Sequence, residues 1–220
     1  MSSSPSTTTS RSLTALAMAS QSHTALPSAE TIGKAAALKV YDQSGNETSF
    51  GSLIQDQKTI VVFIRHFFCG SCQRYVMQLA SVRKDALEQA NTRLVVIGCG
   101  DWKLIKNYCE TTEYPYPMYA DPSRSLYTTF GLVESLERTP AGEQKRSYLG
   151  KSFFGSVVKS IWDGPLKNPQ FIGKQGNISQ LGGDFIFGPG QTCSYASRMK
   201  HTEDHVEVAD LMKEAGVPFP

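Results

Sequence analysis

TIVVFIRHFFCGSC, residues 59–72, decides the fold. Its first part, TIVVFI (59–64), is a continuous run of β-branched and apolar residues. That is the pattern of a strand covered on both faces. RHFFCGSC (65–72) follows at once, with Cys69 and Cys72 in CxxC spacing. From there CQRYVMQLASVRKDALEQA (72–90) puts Tyr75, Val76, Leu79, Val82, Ala86 and Leu87 on one helical face. A buried strand passing through a cysteine pair into a helix places that pair at the carboxyl end of the strand. Ligands and chemistry gather there in open α/β sheets.

The flanking sequence extends the same pattern. ALKVY (37–41) predicts a short strand, DQSGNE (42–47) a turn, and 49–56 a short helix. The run 59–65 is the next strand, and RLVVIGCG (93–100) is a second buried one. Asp101 is a good cap for a helix over WKLIKNYCETTE (102–113). PMYAD (117–121) predicts a strand, and PSRSLYTTFGL (122–132) a helix that stops at Gly131. This alternation of strands and helices predicts an α/β fold with parallel neighbours. Residues 134–180 are polar and loop-forming around one amphipathic piece, SFFGSVVKSIW (152–162), and read as a helical insertion. GGDFIFGPGQTCSYASR (182–198) predicts an antiparallel hairpin at the sheet edge. EDHVEVADLMKEAGV (203–217) predicts a closing amphipathic helix.

The 220 residues suffice for one well-buried domain, here 31–220. A formal charge of +2 argues against a nucleic-acid or acidic-membrane partner. No apolar run reaches the roughly 18 residues of a membrane span. Residues 1–30 are rich in Ser, Thr and Ala, carry no acid before Glu30, and read as a disordered leader. Arg11 is the only base before Lys34, so a mitochondrial presequence is the lesser alternative to a cytoplasmic protein. Five cysteines in a chain of this size do not suggest a disulfide framework, and a reducing compartment fits them better.

Three uses of the CxxC compete. A zinc site wants two more Cys or His ligands in paired spacing, and Cys99 and Cys109 do not supply them. Two inert packed thiols are the bland alternative. Redox chemistry fits best. A helix start offers unpaired N–H groups and a positive dipole end, and both favour thiolate. Arg65 and His66 add nearby cationic character, with a strand-end surface charge as the plain role of Arg65. His66 is a proton shuttle or simply a packed side chain. One sulfur would attack and the other resolve, as thiol–disulfide exchange requires. Cys99 reads as core, and Cys109 and Cys193 as structural. HTEDH (201–205) lacks the order and third ligand of a metal motif and reads as a solvated helix start. Trp102, Tyr114, Tyr116 and Trp162 are candidate pocket aromatics.

VVFIRHFFCGSCQRYV (61–76), RLVVIGCG, YADPSRSLYTTFGL (119–132) and GGDFIFGPG (182–190) resemble the peroxiredoxin-like 2 group, the AhpC/TSA antioxidant domain proteins. The resemblance covers roughly 35–215 and implies a thioredoxin-like fold, a central mixed sheet flanked by helices. Peroxiredoxins carry Pro-x-x-x-Thr-x-x-Cys at this strand end. Against that motif, Arg65 stands at the Pro, Cys69 at the Thr and Cys72 at the peroxidatic position. Gly182 stands where those enzymes place a peroxide-orienting Arg. Thioredoxin logic makes Cys69 the attacking sulfur, whereas the peroxiredoxin match makes it Cys72.

The expectation is a thiol–disulfide oxidoreductase with Cys69, Cys72 and Arg65 as catalytic residues and no bound cofactor. His66, Phe68, Gly70, Ser71 and Gly182 are the expected substrate-binding residues. The substrate would be a small-molecule or protein disulfide or dithiol, including a sulfur-bridged natural product. Glutathione or a thioredoxin system would supply electrons, and a homodimer is an open option. Peroxide reduction and a non-catalytic thioredoxin-like binding module are the competing functions.

Overall fold

The computed structural model describes residues 23–150 and 169–220. SFFGSVVKSIW, Trp162 and the first 22 residues of the expected leader lie outside them. In chain order the elements are α1 (Ala29–Ala36), β1 (Lys39–Tyr41), β2 (Glu47–Ser49), α2 (Phe50–Ile54), β3 (Lys58–Phe63), α3 (Gly70–Ala80) and α4 (Lys84–Gln89). Then come β4 (Thr92–Gly98), α5 (Ile105–Thr112), β5 (Met118–Ala120), α6 (Ser125–Thr129), β6 (Gly183–Gly188), β7 (Thr192–Arg198) and α7 (Val208–Ala215). The strands form one sheet in the order β2-β1-β5-β4-β3-β6-β7. β3, β4 and β5 run parallel, and the remaining pairings are antiparallel. This is a thioredoxin-like mixed sheet.

The pleat explains why TIVVFI is apolar without a break. Ile60, Val62 and Ile64 face one core with Leu94, Val96 and residues of α3, α4, α5 and α7. Val61 and Phe63 face a second core with Val95, Ile97 and residues of α1, α2 and α6. Successive side chains alternate between the faces, so both faces of β3 must be apolar. Beyond Phe63 the ladder continues for one bond, from the Ile64 N–H to the Ile97 carbonyl at 2.9 Å. The Tyr127 hydroxyl shares its proton between the Ile64 and Ile97 carbonyls at 2.7 and 2.9 Å. The strand ends are therefore rigid where the cysteine loop begins.

Several boundaries differ from expectation. β3 stops before Arg65, and β2 was not anticipated because ETS is too short and polar to show a period. The expected helix 72–90 is two helices, because the Ser81 hydroxyl donates to the Gln78 carbonyl at 2.7 Å and Arg83 is extended. A local side-chain bond of this kind competes with helix continuation. The closing helix begins at Val208, not near 203. In the preceding turn the Asp204 carboxylate accepts from the Lys200 N–H at 3.0 Å. α1 begins at Ala29, inside the stretch read as leader, with Ser28 as its cap. Arg198 holds that end through its backbone N–H to the His23 carbonyl and its Nη1 to the Ala25 carbonyl, both at 2.8 Å.

The two ends of the 134–180 stretch meet. Glu134 and Gln180 form an antiparallel bridge, and the Leu181 N–H donates to the Val133 carbonyl at 2.9 Å. The chain leaves and re-enters the sheet at one place, next to the end of β3.

Gly182 tightens this junction. A Cβ there would lie 1.9 Å from the Phe63 carbonyl oxygen. Gly182→Ala should therefore destabilise the fold by at least about 3 kcal/mol, the upper range of overpacking. Urea unfolding of the two proteins checks this, and equal midpoints would refute the close approach.

Candidate active site

The loop between β3 and α3 carries the cysteines. The Phe67 N–H donates to the Gln175 carbonyl at 3.0 Å, and the Phe67 ring meets Tyr108 edge-on at 5.4 Å. Gly98 makes room for that ring, since a Cβ there would lie 2.5 Å from it. The Cys69 N–H turns back to the His66 carbonyl at 3.0 Å, and Cys69 becomes the N-cap residue of α3. Cys69 thus stands at the start of an 11-residue helix, though its thiol makes no capping hydrogen bond there.

Of the two roles open to Arg65, the structure removes the strand-end surface charge. The residue is only 6% exposed. Its Nε donates to the Gln180 carbonyl at 3.2 Å and its Nη2 to the Ile178 carbonyl at 2.6 Å. Its Nη1 donates to Cys69 Sγ at 3.3 Å. Among the described residues no carboxylate forms an ion pair with it. A buried cation of this kind needs an anion, and the neighbouring group that ionises is the Cys69 thiol.

The two cysteines lie in opposite environments. A hydrogen bond from the Cys72 thiol, the Arg65 charge, His66 and the Ser71 hydroxyl hold Cys69 well below the usual thiol range, against the effect of burial. Ser71 Oγ lies 3.1 Å from Cys69 Sγ and donates to the Thr202 carbonyl at 3.0 Å. Burial, followed by the neighbouring Cys69, pushes the Cys72 thiol well above that range. Cys72 is fully buried, and its sulfur accepts from the Arg65 backbone N–H at 3.4 Å. All five cysteines are free thiols.

The other expected site residues divide. Half-buried Phe68, half-buried Ser71 and exposed Gly70 border Cys69. His66 is buried with its Nδ1 unpartnered, and burial lowers its pKa. Of Arg65 and His66, the former has the larger electrostatic effect on Cys69. Gly182 is buried against Phe63 and offers no surface to a substrate. Cys99 is core-buried, its thiol donating to the Arg65 carbonyl at 2.9 Å and raised to about 11 by burial. Cys109 and Cys193 are half-buried beside Met118 and the Tyr195 carbonyl. Tyr114 packs in the core, and Trp102 lines a separate cleft with Lys39, Tyr41 and Asp101.

HTEDH departs from its expected role. His205 is not a solvated helix residue but fully buried, as is Asp184 on β6. His205 Nδ1 lies 3.1 Å from both Asp184 carboxylate oxygens, and Nε2 lies 3.8 Å from Cys72 Sγ. Its ring stacks on Tyr75 at 4.4 Å and 6°. Sequence reasoning missed this pair. One signal was present: Asp184 is the lone acid in an apolar strand, and a buried acid needs a partner.

A mixed sheet of this topology with a cysteine pair after β3 has the thioredoxin-like architecture. Residues 78–201 match the family described as AhpC/TSA antioxidant enzyme, a range that begins just after Cys72. Peroxiredoxin-like 2C of Mus musculus is 32% identical over 185 residues, covering 83% of this chain and 79% of its own. The Takifugu rubripes protein of the same name is 33% identical over 180 residues, covering 81% and 78%. The crystal structure of peroxidoxin BcpB from Mycobacterium tuberculosis shares the fold with a TM-score of 0.54 at 11% identity, covering 81% of this chain and 91% of that one. The chain belongs to the AhpC/TSA antioxidant enzyme family.

If Arg65 holds Cys69 as thiolate, Arg65→Ala should move the midpoint of Cys69 alkylation by iodoacetamide to higher pH. The thiolate is the reacting form, so less of it forms at a given pH once the cation is gone. Peptide-resolved labelling across pH measures this, and an unchanged midpoint would contradict the role.

Proposed function

We propose that this protein is a thiol–disulfide oxidoreductase in which Cys69 attacks and Cys72 resolves. The contrast between the two sulfurs carries this assignment. Cys69 touches Arg65 and keeps the small exposure of the pair, whereas Cys72 lies behind it with none. The thiolate of Cys69 attacks one sulfur of a disulfide and expels the other as a thiolate. Cys72 then attacks Cys69 Sγ, releases the second thiolate and leaves a Cys69–Cys72 disulfide. Glutathione or a thioredoxin-type dithiol, as found in a reducing compartment such as the cytoplasm, returns the pair to thiols. The substrate is a small-molecule or exposed protein disulfide that reaches Cys69 past Phe68, Gly70 and Ser71.

Peroxide reduction is the second reading, favoured by the family's antioxidant description and by the Arg65–Cys69 contact. Peroxide cleavage needs donors aimed at both oxygens, and losing one such donor costs about a hundredfold or more in rate. Arg65 spends its Nε and Nη2 on backbone carbonyls, and Gly182 has no side chain to add. Disulfide exchange asks only for a thiolate, access and a good leaving thiol.

Stopped-flow reaction of the reduced protein with a small alkyl disulfide and with hydrogen peroxide should show the disulfide reacting faster. Cys69→Ser should abolish that reaction, and Cys72→Ser should arrest it as a mixed disulfide on Cys69, visible by intact mass. Peroxide consumption that survives Cys69→Ser but not Cys72→Ser would overturn the assignment.

A further inference from the structure

The resolving step raises a problem that the Cys69 environment does not solve. Cys72 must lose a proton before its sulfur can attack, yet it is fully buried and no solvent reaches it. Its proton needs an internal acceptor. Resting on the assignment of Cys69 as attacking and Cys72 as resolving sulfur, we propose that His205 is the catalytic base that deprotonates Cys72, and that Asp184 is its positioning residue.

The geometry supports each role. His205 Nδ1 faces the Asp184 carboxylate, so the proton of a neutral ring sits on Nδ1 and donates there. That leaves Nε2 with a free lone pair, 3.8 Å from Cys72 Sγ. Asp184 is held by strand pairing with Val62 of β3, and it also accepts from the Val206 N–H at 3.3 Å. The imidazole cannot swing away. Its plane is stacked on Tyr75 at 4.4 Å, and its backbone N–H donates to the Tyr148 hydroxyl at 3.1 Å. A buried His–Asp pair is poor material for stability alone, since apolar residues of like volume are often as stable. Its placement against the one sulfur that must shed a proton gives it chemical work.

The step balances as follows. A mixed disulfide joins Cys69 Sγ to half of the substrate. The Cys72 S–H passes its proton to His205 Nε2, and the imidazolium is stabilised by Asp184. Cys72 Sγ forms a bond to Cys69 Sγ while the Cys69–substrate S–S bond breaks, its electron pair leaving on the substrate sulfur. His205 returns the proton toward that thiolate and is neutral again. One substrate disulfide is reduced to one thiolate and one thiol, the thiolate taking its proton from water, and the Cys69 thiolate–Cys72 thiol pair is oxidised to a disulfide.

The test uses the full chain, reduced, with one equivalent of the chromogenic disulfide dithiobis(nitrobenzoate). Cys69 attack releases one coloured thiolate in a first phase, and Cys72 resolution releases the other in a second. In His205→Gln the second phase should slow about a hundredfold, the low end for loss of a general base, while the first phase persists. The mixed disulfide on Cys69 should accumulate and be seen by acid quench and intact mass. Asp184→Asn should slow the same phase by about tenfold, because the ring loses its orienting acceptor. For the native protein, deuterium oxide should slow the second phase but not the first, a readout that requires no variant to fold. A second phase with no isotope effect, or one that keeps its native rate in His205→Gln, would overturn the role of His205. Absence of a fast first phase in the native protein would instead overturn the assignment of Cys69.

Discussion

A guanidinium buried without a carboxylate is the constraint around which this site is arranged. Arg65 follows the end of β3, where the sheet ends and α3 has not yet begun. Leaving such a charge buried and uncompensated costs several kcal/mol. Two of its donors are met by the Ile178 and Gln180 carbonyls, and a third by Cys69 Sγ. Neutral carbonyls satisfy hydrogen bonds but not net charge. A cysteine at position 69 therefore sits where a negative charge is most favourable, and the helix N-terminus acts in the same direction.

The chain takes a long route to supply those carbonyls. Residues 178–180 lie at the far end of the 134–180 stretch, which returns to its own start through the Glu134–Gln180 bridge. Earlier in the same stretch, residues 174–175 approach the chain just beyond β4, where a Cβ on Gly100 would lie 2.6 Å from the Gln175 carbonyl. This stretch is thus part of the wall of the cysteine loop as well as an excursion from the sheet. A redox site at a strand end needs such a wall, because strand-end loops are otherwise open to water and mobile.

Cys69 and Cys72 are the same residue type one helical turn apart, yet their surroundings drive them in opposite directions. Environments that push proton affinities apart can give two identical groups different chemical roles. Cys69 has Arg65, Ser71 and a little exposure. Cys72 has none, and the polar atoms near it are the Arg65 N–H and His205 Nε2. Asymmetry of this kind arises from neighbours contributed by β6, the 201–207 turn and the 178–180 strip, all distant in sequence from the cysteines.

The local part of this protein was legible in the sequence. Continuous apolar runs marked β3 and β4, helical spacing marked α3, and the CxxC at their junction marked the candidate site, because strand and helix periodicity depend on near neighbours. The errors fell where a local preference met a distant partner or was too short to show a period. β2 has three residues, and Ser81 ended a helix that apolar spacing alone would have continued. Arg65 was open to either a surface or a catalytic role, and His205 read as a solvated helix residue because its neighbours in HTEDH are polar. Only the tertiary structure buried them, by bringing the Ile178 and Gln180 carbonyls to one and Asp184 to the other. A charge pattern along the chain reports solvent preference, whereas the state of a buried ionisable group depends on the partners that packing assembles from remote segments. The sequence by itself therefore determined the central strands, most of the helical segments and the position of the cysteine pair. Which sulfur lies beside a buried cation, and what faces the other, was decided in three dimensions.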